Sequence, residues 1–282
     1  MVGFRLINLL IPGDPAAIKI AGVIDNWTVS KTANYERSRN DLRDKPTCAV
    51  ETYDIFTDTD YHATLPDVRL LSEFKHLCLV FSYLTGTAIT AERSLPMSAI
   101  MPISFGDGFP RMRQMLSENS VCIDANEFSA KVNLMISSYD AVEQDFNISI
   151  LLHHWLDSLY FWSIEDLFLG ACATLEIIKQ NERRRTGNKN LHFYDAIDST
   201  SVNYGITRLS PDFKNMRNDL IHEGHLSKKC FPGKTKAECA HVVFDVLCWV
   251  DEYVHAIFGM CPINKVRYDL RMLQHQNSYT TW

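Results

Sequence analysis

The chain lacks any long apolar run. None of its 282 residues fall in a stretch approaching the ~20 consecutive apolar residues of a membrane span, so no membrane partner is expected. It also lacks a C-x-x-C pair. Its cysteines are Cys48, Cys78, Cys122, Cys172, Cys230, Cys239, Cys248 and Cys261, several of them within apolar helical patterns. That usage is expected of free buried thiols in a reducing cytoplasm, not of a disulfide framework. A four-ligand set can be drawn from His225, Cys230, Cys239 and His241, but its spacing fits no common zinc pattern. No metal and no cofactor are expected. Absent too are G-x-x-x-x-G-K-[ST], G-x-G-x-x-G after a strand, H-E-x-x-H and G-x-S-x-G, which removes the enzyme classes that carry those signatures. Positive charge is the minority, 28 Lys+Arg against 34 Asp+Glu for a net −6. That balance argues against a protein that coats nucleic acid generally.

What remains is an ordinary globular composition, 46% hydrophobic and 22% charged, long enough for one large domain or two. The opening residues carry one arginine and no small-residue cleavage site. They read as a first β-strand and not as a signal peptide. Residues 1–60 read as strands and turns, with apolar runs at Phe4–Ile11 and Ile18–Ile24 broken by Pro12-Gly13-Asp14-Pro15 and Asp25-Asn26. The charged segment Asn34–Pro46 reads as a loop or edge. Residues 70–84 have apolar side chains at helical spacing and stop at Thr85-Gly86, a glycine C-cap. Thr87–Thr90 and Ala99–Phe105 read as further strands.

From about Asn126 the period becomes helical. Phe128, Val132, Met135, Ile136, Tyr139 and Val142 share one face. A second helix is expected over Ser149–Tyr160. A third starts at Ser163, with Asp166 completing a capping box, and buries Leu167, Phe168, Ala171, Leu175 and Ile178. Residues 181–206, rich in Asn, Arg, Asp and Ser, read as a loop with short structure. A short helix over Asp212–His222 stops at Gly224, and a final one covers Thr235–Phe258. The expected fold class is α+β: a β-rich N-terminal module with one helix (1–124), then an all-α domain (125–282).

The most informative stretch is Arg217-Asn218-Asp219-Leu220-Ile221-His222, followed by Glu223-Gly224. On a helix, residues five apart lie roughly 140° apart around the axis and about 7.5 Å along it. An arginine folding back over one turn lets both tips reach one cleft. A permanent cation and an imidazole suit a phosphodiester: one holds charge on phosphate, the other moves protons. The spacing alone fits a second reading, a surface arginine with a histidine favoured by the helix C-terminus. Charge around it is uneven. Between Ala171 and Lys236, 12 Lys+Arg stand against 7 Asp+Glu, a local +5. That stretch includes Arg183, Arg184, Arg185, Lys214, Lys228 and Lys229. It reads either as a basic face for RNA or as solvated helix ends and loops.

Together, R-N-x-x-x-H with its following x-Gly and the earlier segment Phe168-Leu169-Gly170-Ala171-Cys172-Ala173-Thr174-Leu175-Glu176 resemble the HEPN superfamily, in particular its Apea-like branch, over roughly residues 125–260. The β-rich start resembles a reduced form of the module that often precedes such domains. The resemblance implies a HEPN-type helical bundle. It implies a metal-independent endoribonuclease of a bacterial defence or toxin-type system, in which the substrate's 2′-OH attacks the adjacent phosphorus. By that resemblance His222 is general base or acid and Arg217 stabilises the phosphorane. Asn218 orients the phosphate or fixes the motif helix. Glu176 is the polar partner from the earlier helix, with Glu165 and Asp166 as weaker candidates and a solvent-facing helix glutamate as the plain alternative. The implied partners are RNA, a second copy of the chain that completes the cleft, and a trigger protein or antitoxin. Some HEPN toxins carry a modifiable tyrosine two residues after the histidine. Gly224 stands there in this chain, so that style of control is not expected. The alternative function is a non-catalytic HEPN module that binds nucleotide or RNA or assembles with a partner.

Overall fold

The structure is a computed structural model that describes residues 2–44, 49–59, 68–95, 119–160 and 163–280. It has a sheet in the N-terminal part and mostly helices after it, an α+β arrangement. The chain divides into two compact units, residues 1–141 and 142–282.

Among the described residues the first unit holds five strands: β1 (Gly3–Ile7), β2 (Ala17–Ala21), β3 (Asn26–Lys31), β4 (Glu51–Thr57) and β5 (Thr90–Leu95). They pair antiparallel in the order β2-β3-β4-β1-β5. In β2 burial alternates strictly, Ile18 and Ile20 inward, as a sheet with one covered face requires. β1 ends short of the expected Ile11 because Asn8 turns left-handed, φ 63°, with its side-chain oxygen accepting from Val50 N at 3.0 Å. β5 begins where the expected Thr87–Thr90 strand would end. The Ala99–Phe105 strand lies outside the described residues.

Helix α2 (Val68–Thr85) is buried at every position from Leu77 to Thr85, and Gly86 caps it with φ 73°. Phe74 stacks on Phe4 of β1, centroids 3.9 Å apart, and lies 6.0 Å from Trp27 of β3. Beside it, buried Glu73 accepts from Val23 N at 2.6 Å, Ile24 N at 2.7 Å and the Trp27 indole N–H at 2.7 Å. This carboxylate holds the β2–β3 turn onto the helix. Gly22 is needed there because a Cβ would meet the Asp25 carbonyl oxygen at 2.1 Å.

The charged segment expected as a loop is helix α1 (Tyr35–Asp44). Only Tyr35 and Leu42, seven residues apart, are buried, a stripe too narrow to stand out among charges. Tyr35 packs edge-on against Tyr53 of β4 at 5.0 Å. Its neighbours Arg39 and Lys31 pair with Asp14 (2.6 Å) and Glu36 (3.1 Å). Helix α3 (Ala125–Phe146) buries the whole face anticipated from its spacing, and the division between the units falls inside it.

The second unit contains α4 (Ile148–Ser158), α5 (Ile164–Thr186), α6 (Phe193–Tyr204), α7 (Asp212–Glu223), α8 (Lys236–Ile257) and α9 (Leu270–His275). α5 is central, packing against α4, α6, α7 and α8. Its Ser163 cap accepts from Asp166 N at 3.1 Å and donates to Asp166 Oδ2 at 2.9 Å. The stretch 181–206, expected as a loop with short structure, is mostly helix: α5 runs on to Thr186, and α6 covers Phe193–Tyr204. Ala196, Ile197, Thr200 and Ser201 are its buried face, helical in spacing but weakly apolar. Nor is α8 the final helix, since α9 follows it. Among the described cysteines, Cys78, Cys122, Cys172 and Cys239 are buried free thiols, whereas Cys230 and Cys261 are exposed. No described helix is long and apolar enough to cross a membrane.

Glu73→Ala is expected to cost about 2–4 kcal/mol, since it strips a charged acceptor from two amides and a buried indole. Urea unfolding followed by tryptophan fluorescence measures it. A change within about 0.5 kcal/mol, the range of ordinary surface substitutions, would show that the carboxylate does not hold the turn.

Candidate functional site

The motif helix α7 buries Phe213, Met216 and Asp219. That leaves Arg217 and Asn218 half-buried and His222 exposed in its last turn. Gly224 closes the helix in the left-handed conformation, φ 69°, as the sequence indicates.

Arg217 reaches across to α5. Its Nη2 lies 3.0 Å from Glu176 Oε1, so the structure brings these two residues together. The guanidinium sits 4.6 Å from the centroid of the Phe193 ring at the start of α6. Three helices therefore meet at one cation. Glu176 is also shared: its other oxygen pairs with Lys179, one turn along α5. Lys179 Nζ lies 5.9 Å from the same Phe193 ring. Two cations share one carboxylate and one aromatic ring, leaving a surplus positive charge. The Nε of Arg217 is buried with no hydrogen-bond partner among the described residues. A guanidinium with an unused donor and surplus charge nearby is suited to an anion with several acceptor oxygens.

Cys172, next to this cluster, is no nucleophile. Burial pushes its thiol up to about 12, with Arg217 pulling down and Glu176 pushing up. Lys179 and Phe193 are members of the cluster that the sequence reading misses. The i, i+3 spacing of Glu176 and Lys179 was a usable signal. Phe193 offered none, standing in a segment read as loop. Glu165 and Asp166 serve elsewhere. Glu165 accepts from Ser278 Oγ (2.6 Å), Tyr279 N (3.2 Å), Thr280 N (3.1 Å) and Thr280 Oγ1 (2.9 Å), and Asp166 belongs to the Ser163 cap.

The basic residues divide into two groups. Arg183 donates twice to the Leu191 carbonyl, at 2.9 and 2.7 Å. Arg184 bonds the Asp145 carbonyl, and Arg185 makes a two-pronged pair with buried Glu182, both bonds 2.7 Å. These three fasten the chain to itself. Lys214, Lys228 and Lys229 are exposed. Lys214 Nζ lies 6.0 Å from the Tyr194 ring, and Lys228 lies 3.5 Å from Glu223.

Asp219, inside the motif, is fully buried. Its two oxygens accept four backbone amides: Lys228 (2.8 Å), Lys229 (3.1 Å), Cys230 (2.7 Å) and Phe231 (2.8 Å). The loop carrying Lys228 and Lys229 is thus tied to the motif helix. Burial pushes the Asp219 carboxyl up, but the four amides outweigh it and hold the group below the ordinary range.

Comparison with protein-family models, curated proteins and solved structures finds no match for the chain.

Asp219→Asn replaces one acceptor oxygen with a donor facing amides and is expected to cost about 2–3 kcal/mol at pH 7. Because the folded carboxyl sits below its unfolded value of about 3.9, its contribution is present above that pH and lost as pH falls through the folded value. Denaturation of wild type and variant at stepped pH checks both. The gap between them should narrow below about pH 4, where the unfolded chain's carboxyl protonates. A gap unchanged at low pH would remove the carboxylate from the account.

Proposed function

We propose that this chain is a metal-independent endoribonuclease of the HEPN type, acting in a defence or toxin-type system. The observation that carries the reading is the cluster on α5, α6 and α7. There Arg217 of α7 and Lys179 of α5 outnumber their single carboxylate, Glu176, and α7 presents exposed His222 five residues after Arg217. Surplus charge binds the phosphodiester, and the imidazole exchanges protons with solvent-accessible substrate.

In the reaction, the 2′-oxygen forms a bond to phosphorus while the bond from phosphorus to the 5′-oxygen breaks. The 2′-OH proton goes to a base, and the leaving 5′-oxygen takes one from an acid. His222 fills one role, worth about 10²–10⁴-fold. Its counterpart in a second copy, across a two-fold axis, fills the other. Arg217 stabilises the charge gathering on the phosphorane oxygens through its guanidinium. Asn218, the next residue of the motif, orients the phosphate. Lys214, Lys228 and Lys229 track the flanking backbone, and a trigger protein or antitoxin governs access.

One observation favours a second reading, a non-catalytic module that binds RNA or nucleotide or assembles with a partner. Arg217 already has a counter-ion in Glu176 and a ring beneath it, an arrangement that also serves a purely structural arginine.

The test is cleavage of single-stranded or loop RNA in EDTA. Cyclic phosphate ends are expected, and His222→Ala and Arg217→Ala should each lower the rate by about 10²-fold or more. Circular dichroism should stay native for both, since neither side chain lies in the buried stripe of α7. Dependence on Mg²⁺ or 3′-OH products would exclude the mechanism. RNA binding without cleavage would select the second reading. Full activity from a monomer would sink the two-copy cleft.

A further inference from the structure

The second unit contains a cavity of about 440 Å³, within the size range of small-molecule sites. It lies between the C-terminal half of α8, the turn after α6 (204–207) and the segment 260–268. None of Arg217, Glu176 or His222 lines it. Its floor is a fully desolvated ion pair: Arg267 Nη2 to Asp251 Oδ1 at 3.0 Å, with the two side chains 1% and 3% exposed. Asp251 also accepts from the Trp155 indole at 3.1 Å. Such a pair is costly to bury and holds only with its hydrogen bonds complete, so the floor is rigid and carries no net charge.

One wall is apolar, formed by Leu247, Ala256, Met260, Ile263 and Val266. The mouth is polar. Glu252, half-buried on α8, accepts from Thr207 N at 2.9 Å and from Thr207 Oγ1 at 3.2 Å. Those bonds fix the carboxylate, and each of its oxygens keeps further acceptor capacity. Among the permanent charges of the lining, Asp251 and Arg267 cancel, and Glu252 remains. Cys248 also lines the cavity, but burial pushes its thiol up to about 12, so it offers no nucleophile.

We infer that this cavity binds a small organic cation, an amine or amidinium on an apolar or aromatic body, with Glu252 as counter-ion and the Leu247–Val266 wall covering the body. A fixed carboxylate at a partly desolvated mouth rewards a cationic donor over a neutral one and rejects an anion. The inference is independent of the ribonuclease reading, because no residue is shared.

Calorimetric titration of the full chain with three ligands of one body tests it: tryptamine, neutral indole-3-ethanol and anionic indole-3-propionate. Tryptamine is expected to bind saturably at one site, the neutral analogue about tenfold more weakly, and the anion not at all. Glu252→Gln should bring tryptamine down to the neutral analogue's level. Ala256→Trp, which fills the cavity from a partly exposed position, should abolish binding with the circular dichroism spectrum unchanged. Equal affinity for the three ligands, tryptamine binding that survives Ala256→Trp, or no saturable binding would each overturn it.

Discussion

A helical bundle with long connections faces one constraint above others. Every amide that leaves the helices and is buried needs an acceptor. In the second unit Asp219 meets that constraint for four consecutive amides, Lys228 to Phe231, with distances from 2.7 to 3.1 Å. The same device recurs. Glu165 near the start of α5 receives the amides of Tyr279 and Thr280, and burial of its carboxyl is again outweighed by the bonds that hold it ionised. Buried Glu182, near the end of α5, gathers Arg185 and Ser199. In the first unit Glu73 does the same for Val23, Ile24 and Trp27. An acidic chain uses part of its surplus of carboxylates as internal fasteners. The net −6 is therefore a poor guide to the surface, because these carboxylates are not on it.

That placement bears on the candidate site. With Asp219 turned inward to amides, it does not neutralise Arg217 two residues before it. Glu176 is left shared between Arg217 and Lys179, a local surplus of one positive charge where α5 meets the motif helix. Within that stretch the arginine triplet fastens loops, while Lys214, Lys228 and Lys229 remain exposed. Position, more than count, decides which cations can meet a polyanion.

What was legible in the sequence was what is local. The Ser163 cap, the glycine stops at Gly86 and Gly224, and the broad apolar faces of α2, α3, α5 and α8 depend on residues within a few turns of each other. What was not legible had weak local signals overridden by packing. α1 rests on Tyr35 and Leu42 alone, and the hydrogen bond from Tyr35 to Asp14 comes from outside the helix. α6 buries alanine, threonine and serine with a single isoleucine, Ile197, and Ser201 accepts from the Trp249 indole at 2.9 Å. Neither face is apolar enough to show a period. In the site, the pairing of Arg217 with Glu176 joined two segments that each carried a signal of their own. Phe193 and the four amides on Asp219 belonged to segments with none.

The geometry of Arg217 places opposing demands on any catalytic role. A guanidinium that rests on Phe193 and pairs with Glu176 is positioned, but it is also partly neutralised before substrate arrives. Phosphate must then compete with the carboxylate. Here Lys179 matters, because Glu176 is held by two cations, and losing Arg217's attention leaves it paired. The cost of transferring Arg217 from carboxylate to phosphate is thereby reduced, with no charge stranded in a half-buried place. Lys179 is thus a positioning residue in this scheme. It pairs with the carboxylate oxygen that Arg217 does not use, and its value lies in what it lets Arg217 leave behind.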